Sequence, residues 1–207
     1  EIQLNDETVW GGGPHRNDNP EAKDILPEVR RLIFEGKSKE AKPIMEKKFR
    51  TPRNGMPYQT IGSLKLHFDG HENYTDYYRD LDLTRAVATT RYKVNGVTYT
   101  RELFTSFAVN VVIMQITSDK QGALNFTADY VSPLKHSVST KKGKLILSGK
   151  GADHEGVPGV IRLENQTFIK TTDGKVKTSD NKISVSDATT ATIYISAATN
   201  FVNYNDV

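Results

Sequence analysis

The sequence of 207 residues contains no cysteine. Disulfide bonds, thiolate metal sites and a cysteine nucleophile are therefore excluded. No apolar run reaches the roughly 18 residues that a membrane-spanning helix needs, so no membrane span is expected. The sequence shows no secretory signal and starts inside a predicted strand, so we expect an export signal of a longer protein to have been removed.

Neither sign of charge predominates in the sequence. The 28 Lys and Arg residues nearly balance the 25 Asp and Glu residues, which gives a net charge of +3. The densest basic runs, Lys47-Lys48 and Lys141-Lys142, are too short for a nucleic-acid footprint, and we interpret them as solvated surface. With 36% hydrophobic and 26% charged residues, the chain is expected to fold around a real core.

The sequence has no local motif for catalysis or metal binding. His67 and His71 are four residues apart, but Asp69-Gly70 lies between them, so turn or surface positions are favoured over a zinc site. A glycosidase needs two carboxylates across a cleft, and none of the 25 Asp and Glu residues lies in a motif that marks one. We therefore predict no catalytic residue, no metal ligand and no cofactor.

Residues 19–49 predict a small helical insertion. Asn19 is expected to cap a first helix with Pro20 at its first position, where the missing N–H costs nothing. Pro27 is expected to open a second helix, which Gly36 ends.

The last part of the insertion predicts a third helix. Ser38 is expected to cap it, and apolar residues of 41–49 share one face. Pro43 lies inside this segment, so the helix is expected to start late or bend.

From about residue 60 the hydrophobic period changes to two, which is typical of strands. Leu64, Leu66 and Phe68 alternate with polar residues. Asn95-Gly96 predicts a type I′ turn between strands at 86–94 and 97–107. Further strands are predicted at 109–117, 123–130, 144–149, 160–171, 182–186 and 191–198. No helical pattern separates them, so the chain is predicted to be mainly β and antiparallel.

One constellation has the composition of a sugar-binding site. Trp10, the only tryptophan, is followed by three glycines, Pro14 and His15, while Tyr58 and Gln59 lie at a second junction between loop and strand. Aromatic faces stack on the apolar faces of sugars, and amide or imidazole groups bond to hydroxyls. The alternative is that Trp10 and Tyr58 are core residues and the glycines only shape a turn.

Residues 4–14 read LNDETVWGGGP. They are similar to LNE(D)TLWSGGP, the N-terminal signature of glycoside hydrolase family 95, whose main activity is α-L-fucosidase, with Gly11 where serine is usual. Other segments along almost the whole chain resemble the same family and follow in its order: 19–22, 26–37, 56–59 with Gly62, 77–83, 86–88, 96–102 and 198–204.

The resemblance implies an antiparallel β-supersandwich formed by residues 1–207 as a single N-terminal domain, truncated at its start. In that family a helical linker and an (α/α)6-barrel follow. The barrel carries the general acid Glu and the Asp that, with Asn side chains, activates water for hydrolysis with inversion. None of those positions exists in this sequence, so its implied partners are the enzyme's own barrel and the glycan substrate.

Three functions fit these observations. The chain could be a non-catalytic domain whose Trp10 and Tyr58 loops line the active-site mouth of a barrel that cleaves terminal α-L-fucosides or L-galactosides. It could instead be a free-standing carbohydrate-binding module, which an exposed row of two or three aromatics would favour. It could be a structural interaction domain. Export to the periplasm or secretion is expected for the parent protein.

Overall fold

The computed structural model describes residues 1–51, 55–203 and 206–207, and within these ranges it contains two antiparallel sheets and two helices. The small sheet has the order β1-β2-β7-β12-β11, and the large sheet has the order β3-β4-β5-β6-β13-β10-β9-β8. The strands are β1 (Ile2–Leu4), β2 (Gly62–His67), β3 (Thr75–Asp82), β4 (Val87–Val94), β5 (Val97–Ser106), β6 (Val111–Ser118), β7 (Leu124–Val131), β8 (Lys135–Lys141), β9 (Lys144–Lys150), β10 (Arg162–Thr171), β11 (Lys175–Ser179), β12 (Lys182–Ala188) and β13 (Thr190–Thr199). The predicted antiparallel β-sandwich with a helical insertion is therefore confirmed.

The core lies between the two sheets and is built by alternating residues of the strands. Along β13, Ile193 and Ile195 are buried while Tyr194 between them faces outward, as a period of two requires. Two polar side chains lie within this core and satisfy each other, since the hydroxyls of Tyr130 and Thr167 form a hydrogen bond of 2.5 Å. Burial raises the pKa of Tyr130 to about 12, so this hydroxyl stays neutral and protonated.

The predicted hairpin is present as expected. Val94 pairs with Val97, and the two residues between them, Asn95 and Gly96, have φ angles of 49° and 80°. Two consecutive positive φ angles define a type I′ turn, whose twist matches that of the flanking strands.

The strands that the sequence pattern missed are β3, β8 and β11, and each is an edge strand of its sheet. All five residues of β11 are exposed, and six of the eight residues of β3 are exposed. A strand without a buried face has no alternation of polar and apolar residues, and so it has no periodic signal to detect.

The helical insertion contains two helices rather than the predicted three. The first helix, α1 (Ala22–Phe34), continues through Pro27, so the prediction that Pro27 opens a helix is wrong. Proline in a helix interior removes one hydrogen bond. That loss is offset because Val29 and Leu32 of the same helix are buried against Ala41 of the next. The side-chain oxygen of Asn19 accepts a hydrogen bond from the Glu21 N–H. The helix begins at Ala22, however, so its cap residue is Glu21 and not Asn19 as predicted.

Gly36 ends α1 as predicted, with a φ angle of 73°. Its N–H bonds the Ile33 carbonyl, and the next N–H, of Lys37, bonds the Leu32 carbonyl at 2.8 Å, which is a Schellman motif. The second helix, α2 (Ser38–Lys48), follows at once, so Ser38 is its first residue and not its cap. Pro43 lies inside α2, and the predicted late start is wrong.

Two further observations concern the chain as a whole. None of the helices in the described ranges is both long and apolar enough to cross a membrane. The closing segment of the family resemblance ends at Tyr204, which lies outside the described residues.

Candidate functional site

The sequence-predicted site forms where two loops meet at one end of the sandwich. Trp10 and Tyr58 face each other as an isolated antiparallel β-bridge. The bridge is held by hydrogen bonds on both sides, from the Gly11 N–H to the Pro57 carbonyl and from the Gln59 N–H to the Val9 carbonyl, each 2.9 Å long. Residues almost 50 positions apart in the sequence are thus fixed side by side by backbone contacts.

The two aromatic rings of this bridge are exposed and touch each other. Their centroids are 5.3 Å apart at an interplanar angle of 66°, which is an edge-to-face pair. Trp10 is 45% exposed and Tyr58 is 48% exposed, so neither is a core residue. The indole N–H of Trp10 donates to the Glu7 carbonyl at 2.8 Å, which fixes the ring's orientation. About half of each residue's surface therefore remains accessible to solvent.

Gln59 lies next to this pair, but its side chain already has a structural partner. Its Oε1 accepts a hydrogen bond of 3.0 Å from the N–H of Ala152, in the loop between β9 and β10. The Ala152 carbonyl in turn accepts from the Gly12 N–H at 2.8 Å. Gln59 therefore ties the loop between β9 and β10 to the aromatic pair.

The glycines of the Trp10 loop are required by close packing against the loop between β9 and β10. A Cβ on Gly13 would lie 2.8 Å from a methyl carbon of Val160, and Gly12 has a φ angle of 66°. Gly159 also packs tightly within its own loop, since a Cβ there would lie 2.9 Å from the Ala152 carbonyl oxygen. The glycine run that stood out in the sequence thus serves to bring backbones together behind Trp10.

His15 is half-buried at the end of the glycine run. Its Nδ1 lies 2.9 Å from the Gly13 carbonyl, which can only accept, so Nδ1 carries the proton. Its Nε2 is buried and has no hydrogen-bond partner. The ring is thus held by the loop, and only local movement of that loop would bring Nε2 to a ligand. The role of His15 in binding stays a prediction.

A second group of polar and aromatic residues, which sequence reasoning missed, lines a cleft of about 460 Å³ between the sheets. The Arg101 guanidinium lies 4.4 Å from the centre of the Phe68 ring and donates to the Tyr92 hydroxyl at 2.6 Å. His71 approaches the same hydroxyl at 3.0 Å through Nδ1. Burial, and then the charge of Arg101, lower the pKa of His71, so it is neutral at pH 7. Residues from the segment after β2, from β4 and from β5 meet here, and no local motif marks them.

Among the described residues, no group of three or more His, Cys, Asp or Glu side chains is placed to hold a metal ion. An exposed aromatic pair offers a polyhydroxylated ligand faces on which a sugar can stack. Two packed antiparallel sheets define a β-sandwich domain, and its loops carry this aromatic pair.

The comparison with known families places this domain. Residues 1–204 match the family described as "Glycosyl hydrolase family 65, N-terminal domain". The chain belongs to that family of N-terminal domains. The expectation of an N-terminal glycoside hydrolase domain is thereby confirmed.

The curated relatives are fucosidases. The chain is 37% identical over 153 residues to "Alpha-L-fucosidase 2" of Arabidopsis thaliana, a match that covers 72% of this chain and 18% of the relative. It is 27% identical over 125 residues to "Probable alpha-fucosidase A" of Aspergillus oryzae, covering 56% of this chain and 17% of the relative. The chain thus spans less than a fifth of the length of these relatives.

A "Putative kojibiose phosphorylase from human microbiome" superposes with a TM-score of 0.49 and 10% identity, over 75% of this chain and 25% of that chain. A likeness of this size supports no argument about function.

Proposed function

We propose that this chain is the non-catalytic N-terminal domain of a family 95 enzyme that hydrolyses terminal α-L-fucosides with inversion. The family match supports an N-terminal domain of a glycoside hydrolase, the relatives named as fucosidases support the fucoside substrate, and the choice of family 95 with inversion rests on the motif resemblance of residues 4–14. The chemistry would be carried out by a separate barrel domain of the parent protein, on which this domain packs. The periplasm or the extracellular space would be the location of the parent.

One observation carries the part of the proposal that concerns the site. Trp10 and Tyr58 are about half exposed, although backbone hydrogen bonds of the residues beside them hold the bridge and the Trp10 indole N–H bonds the Glu7 carbonyl. A large aromatic that is rigid and exposed gains free energy when a ligand covers it, because apolar area leaves water at almost no cost in side-chain entropy. We infer that this pair forms part of the wall of the active-site mouth.

Parallel hydrolysis assays test whether the chemistry belongs to the barrel or to this domain. An aryl α-L-fucoside and 2′-fucosyllactose are offered to the 207-residue chain and to its full-length parent. We expect turnover by the parent and none by the chain alone. Turnover by the isolated chain would show that the chemistry is in this domain. If neither protein is active, the fucoside assignment fails, and L-galactosides are the next substrates.

Trp10→Ala in the full-length parent tests the role of the aromatic wall. We expect KM to rise while kcat and thermal stability change little, because the ring touches substrate rather than the reacting atoms. Phe107→Ala removes a ring that is 97% exposed elsewhere, and it is the matched control. A fall in stability with an unchanged KM would assign Trp10 a purely structural role.

A further inference from the structure

The outer face of the large sheet carries a row of side chains that no part of the proposed site uses. Direct cross-strand pairing joins Phe104 to Ile113, Ile113 to Tyr194, Tyr194 to Phe168, and Phe168 to Lys144. Lys144 then pairs with Lys141 in the last hairpin. This row, called the outer row below, crosses six adjacent strands and is about 24 Å long at the usual strand spacing.

The apolar part of the outer row is open to solvent. Phe168 is 42% exposed and Phe104 is 37% exposed. The rings of Phe168 and Tyr194 are 6.4 Å apart and within 27° of parallel. A depression of about 310 Å³ lies over Phe104, Ile113 and Tyr194. The three aromatic rings therefore form one accessible strip.

One flank of the strip is polar. Two residues along each strand, the next cross-strand row on the same face consists of Glu102, Gln115, Thr192 and Lys170. The other flank is mixed: Ser196 pairs with Gln166, Gln166 pairs with Ile146, and Val111 lies two residues along β6 from Ile113. A sugar ring has a narrow apolar face edged by hydroxyls, and it matches rings flanked by hydroxyl, amide and carboxylate groups.

The other end of the outer row is cationic. Lys141, Lys142 and Lys144 surround the β8–β9 hairpin, beside a second depression of about 440 Å³. Within the described part of the chain, none of these three lysines forms an ion pair with a carboxylate. The Lys144 Nζ donates instead to the neutral Gln166 Oε1 at 2.9 Å. Glu164 also lines this depression and accepts a hydrogen bond of 2.6 Å from the Gln166 amide. Three lysines against one carboxylate, in line with an aromatic strip, complement a ligand that is both a sugar and an anion.

We propose that the outer row binds a linear glycan with carboxylate or sulfate substituents. The sugar rings stack along Phe104, Tyr194 and Phe168, and the anionic groups lie at Lys144 and Lys141. This site is on a sheet face and is separate from the loops that carry Trp10 and Tyr58. Only the choice of a fucose polymer as a probe rests on the proposed function. The test measures binding rather than hydrolysis, so its failure leaves that function standing.

Calorimetric titration of the 207-residue chain tests the proposal. The probes are a sulfated α-L-fucan, the same fucan after desulfation, and polygalacturonate as the carboxylate form. We expect the fucan to bind and desulfation to weaken it. Phe168→Ala should lower the association constant about fivefold, and the double variant Lys141→Gln/Lys144→Gln about tenfold, at low salt only.

Matched controls separate this site from general attraction of a polyanion. Phe107→Ala removes an exposed ring outside the outer row, and Lys175→Gln/Lys177→Gln removes two exposed lysines of β11 in the other sheet. Both should bind like the wild type. Equal losses in the controls, unchanged binding by the outer-row variants, or no binding by the wild type would each overturn the proposal. It is also overturned if the chain self-associates and Phe168→Ala abolishes that association, because the face then contacts a second copy.

Discussion

Replacing Gly159 with alanine tests whether the loop between β9 and β10 supports the aromatic pair. A Cβ at this position would lie 2.7 Å from the carbonyl carbon of Gly151 and even closer to its oxygen. These are backbone atoms, which cannot rotate away as the end of a side chain does. The carbonyl carbon alone requires the two sides of the loop to separate by about 0.7 Å before ordinary contact, which begins at 3.4 Å, is restored, and the oxygen requires more.

The separation acts on the hydrogen bonds of the neighbouring residue. Ala152 donates to Gln59 at 3.0 Å and accepts from Gly12 at 2.8 Å. Overpacking in a close-packed region costs about 1 to 3 kcal/mol, and each weakened hydrogen bond adds a fraction of its net value of about 1 kcal/mol. We expect Gly159→Ala to lower the free energy of unfolding by about 2 to 4 kcal/mol.

Two measurements follow this change. Urea unfolding monitored by far-UV circular dichroism gives the global stability. The fluorescence of Trp10 reports on the site, because the chain has no other tryptophan. We expect the emission to shift in the folded variant, since the backbone behind the ring has moved. Gly55→Ala is the matched control, because a Cβ there meets nothing within 4 Å. If Gly159→Ala is as stable as Gly55→Ala and its emission is unchanged, the support of the site by this loop is refuted.

Two other predictions concern the stability of the sandwich. The pKa of His71 in the folded protein is below its ordinary value of 6.5, so the unfolded chain takes up this proton more readily. The contribution of His71 to the free energy of unfolding is therefore complete above pH 6.5. It is lost as the pH falls from there through the lower pKa of the folded state. Urea unfolding at about pH 7.5 and about pH 5.5 should therefore show a smaller difference in His71→Gln than in the wild type; equal differences would contradict the assigned pKa shift. Asn165 is fully buried, and within the described part of the chain both polar atoms of its side chain lack a hydrogen-bond partner. Asn165→Leu should raise the free energy of unfolding by about 1 to 3 kcal/mol, and Asn165→Ala is measured beside it as the cavity control. If Asn165→Leu is less stable than the wild type, the Asn165 amide has hydrogen-bond partners in the folded protein.

The sequence also contains three Asn-x-Thr triplets, at Asn73, Asn125 and Asn165. Such triplets are acceptors for N-glycosylation. Asn165 is inaccessible on the inner face of β10, so the folded protein cannot be glycosylated there. This outcome depends only on which face of the strand the residue occupies. A motif of three residues carries no information about that face.

Much of the fold could be predicted because it depends on local chemistry. The Asn95-Gly96 turn needs two residues that tolerate positive φ angles, and Gly36 ends a helix for the same reason. The central strands alternate because one side of each lies against the core. The helix around Pro27 was predicted wrongly, since its packing on α2 outweighs a proline's local preference.

The candidate site could be predicted in part. Trp10, Tyr58 and Gln59 were chosen for their side-chain chemistry, and the structure brings these three together. The support behind them, through Ala152 and Gly159, joins loops about 100 residues apart and leaves no local pattern.

By itself, the sequence determined the residues that turn, end helices and alternate along strands, because those properties depend on one or two neighbouring side chains. It also determined the family resemblance. Only the tertiary structure decided which side chains share a surface. The outer row takes one residue from each of six strands, and the register between strands places Phe168 beside Tyr194 and Lys144. Register is a relation between distant segments, so a surface built across strands is visible only once they are paired.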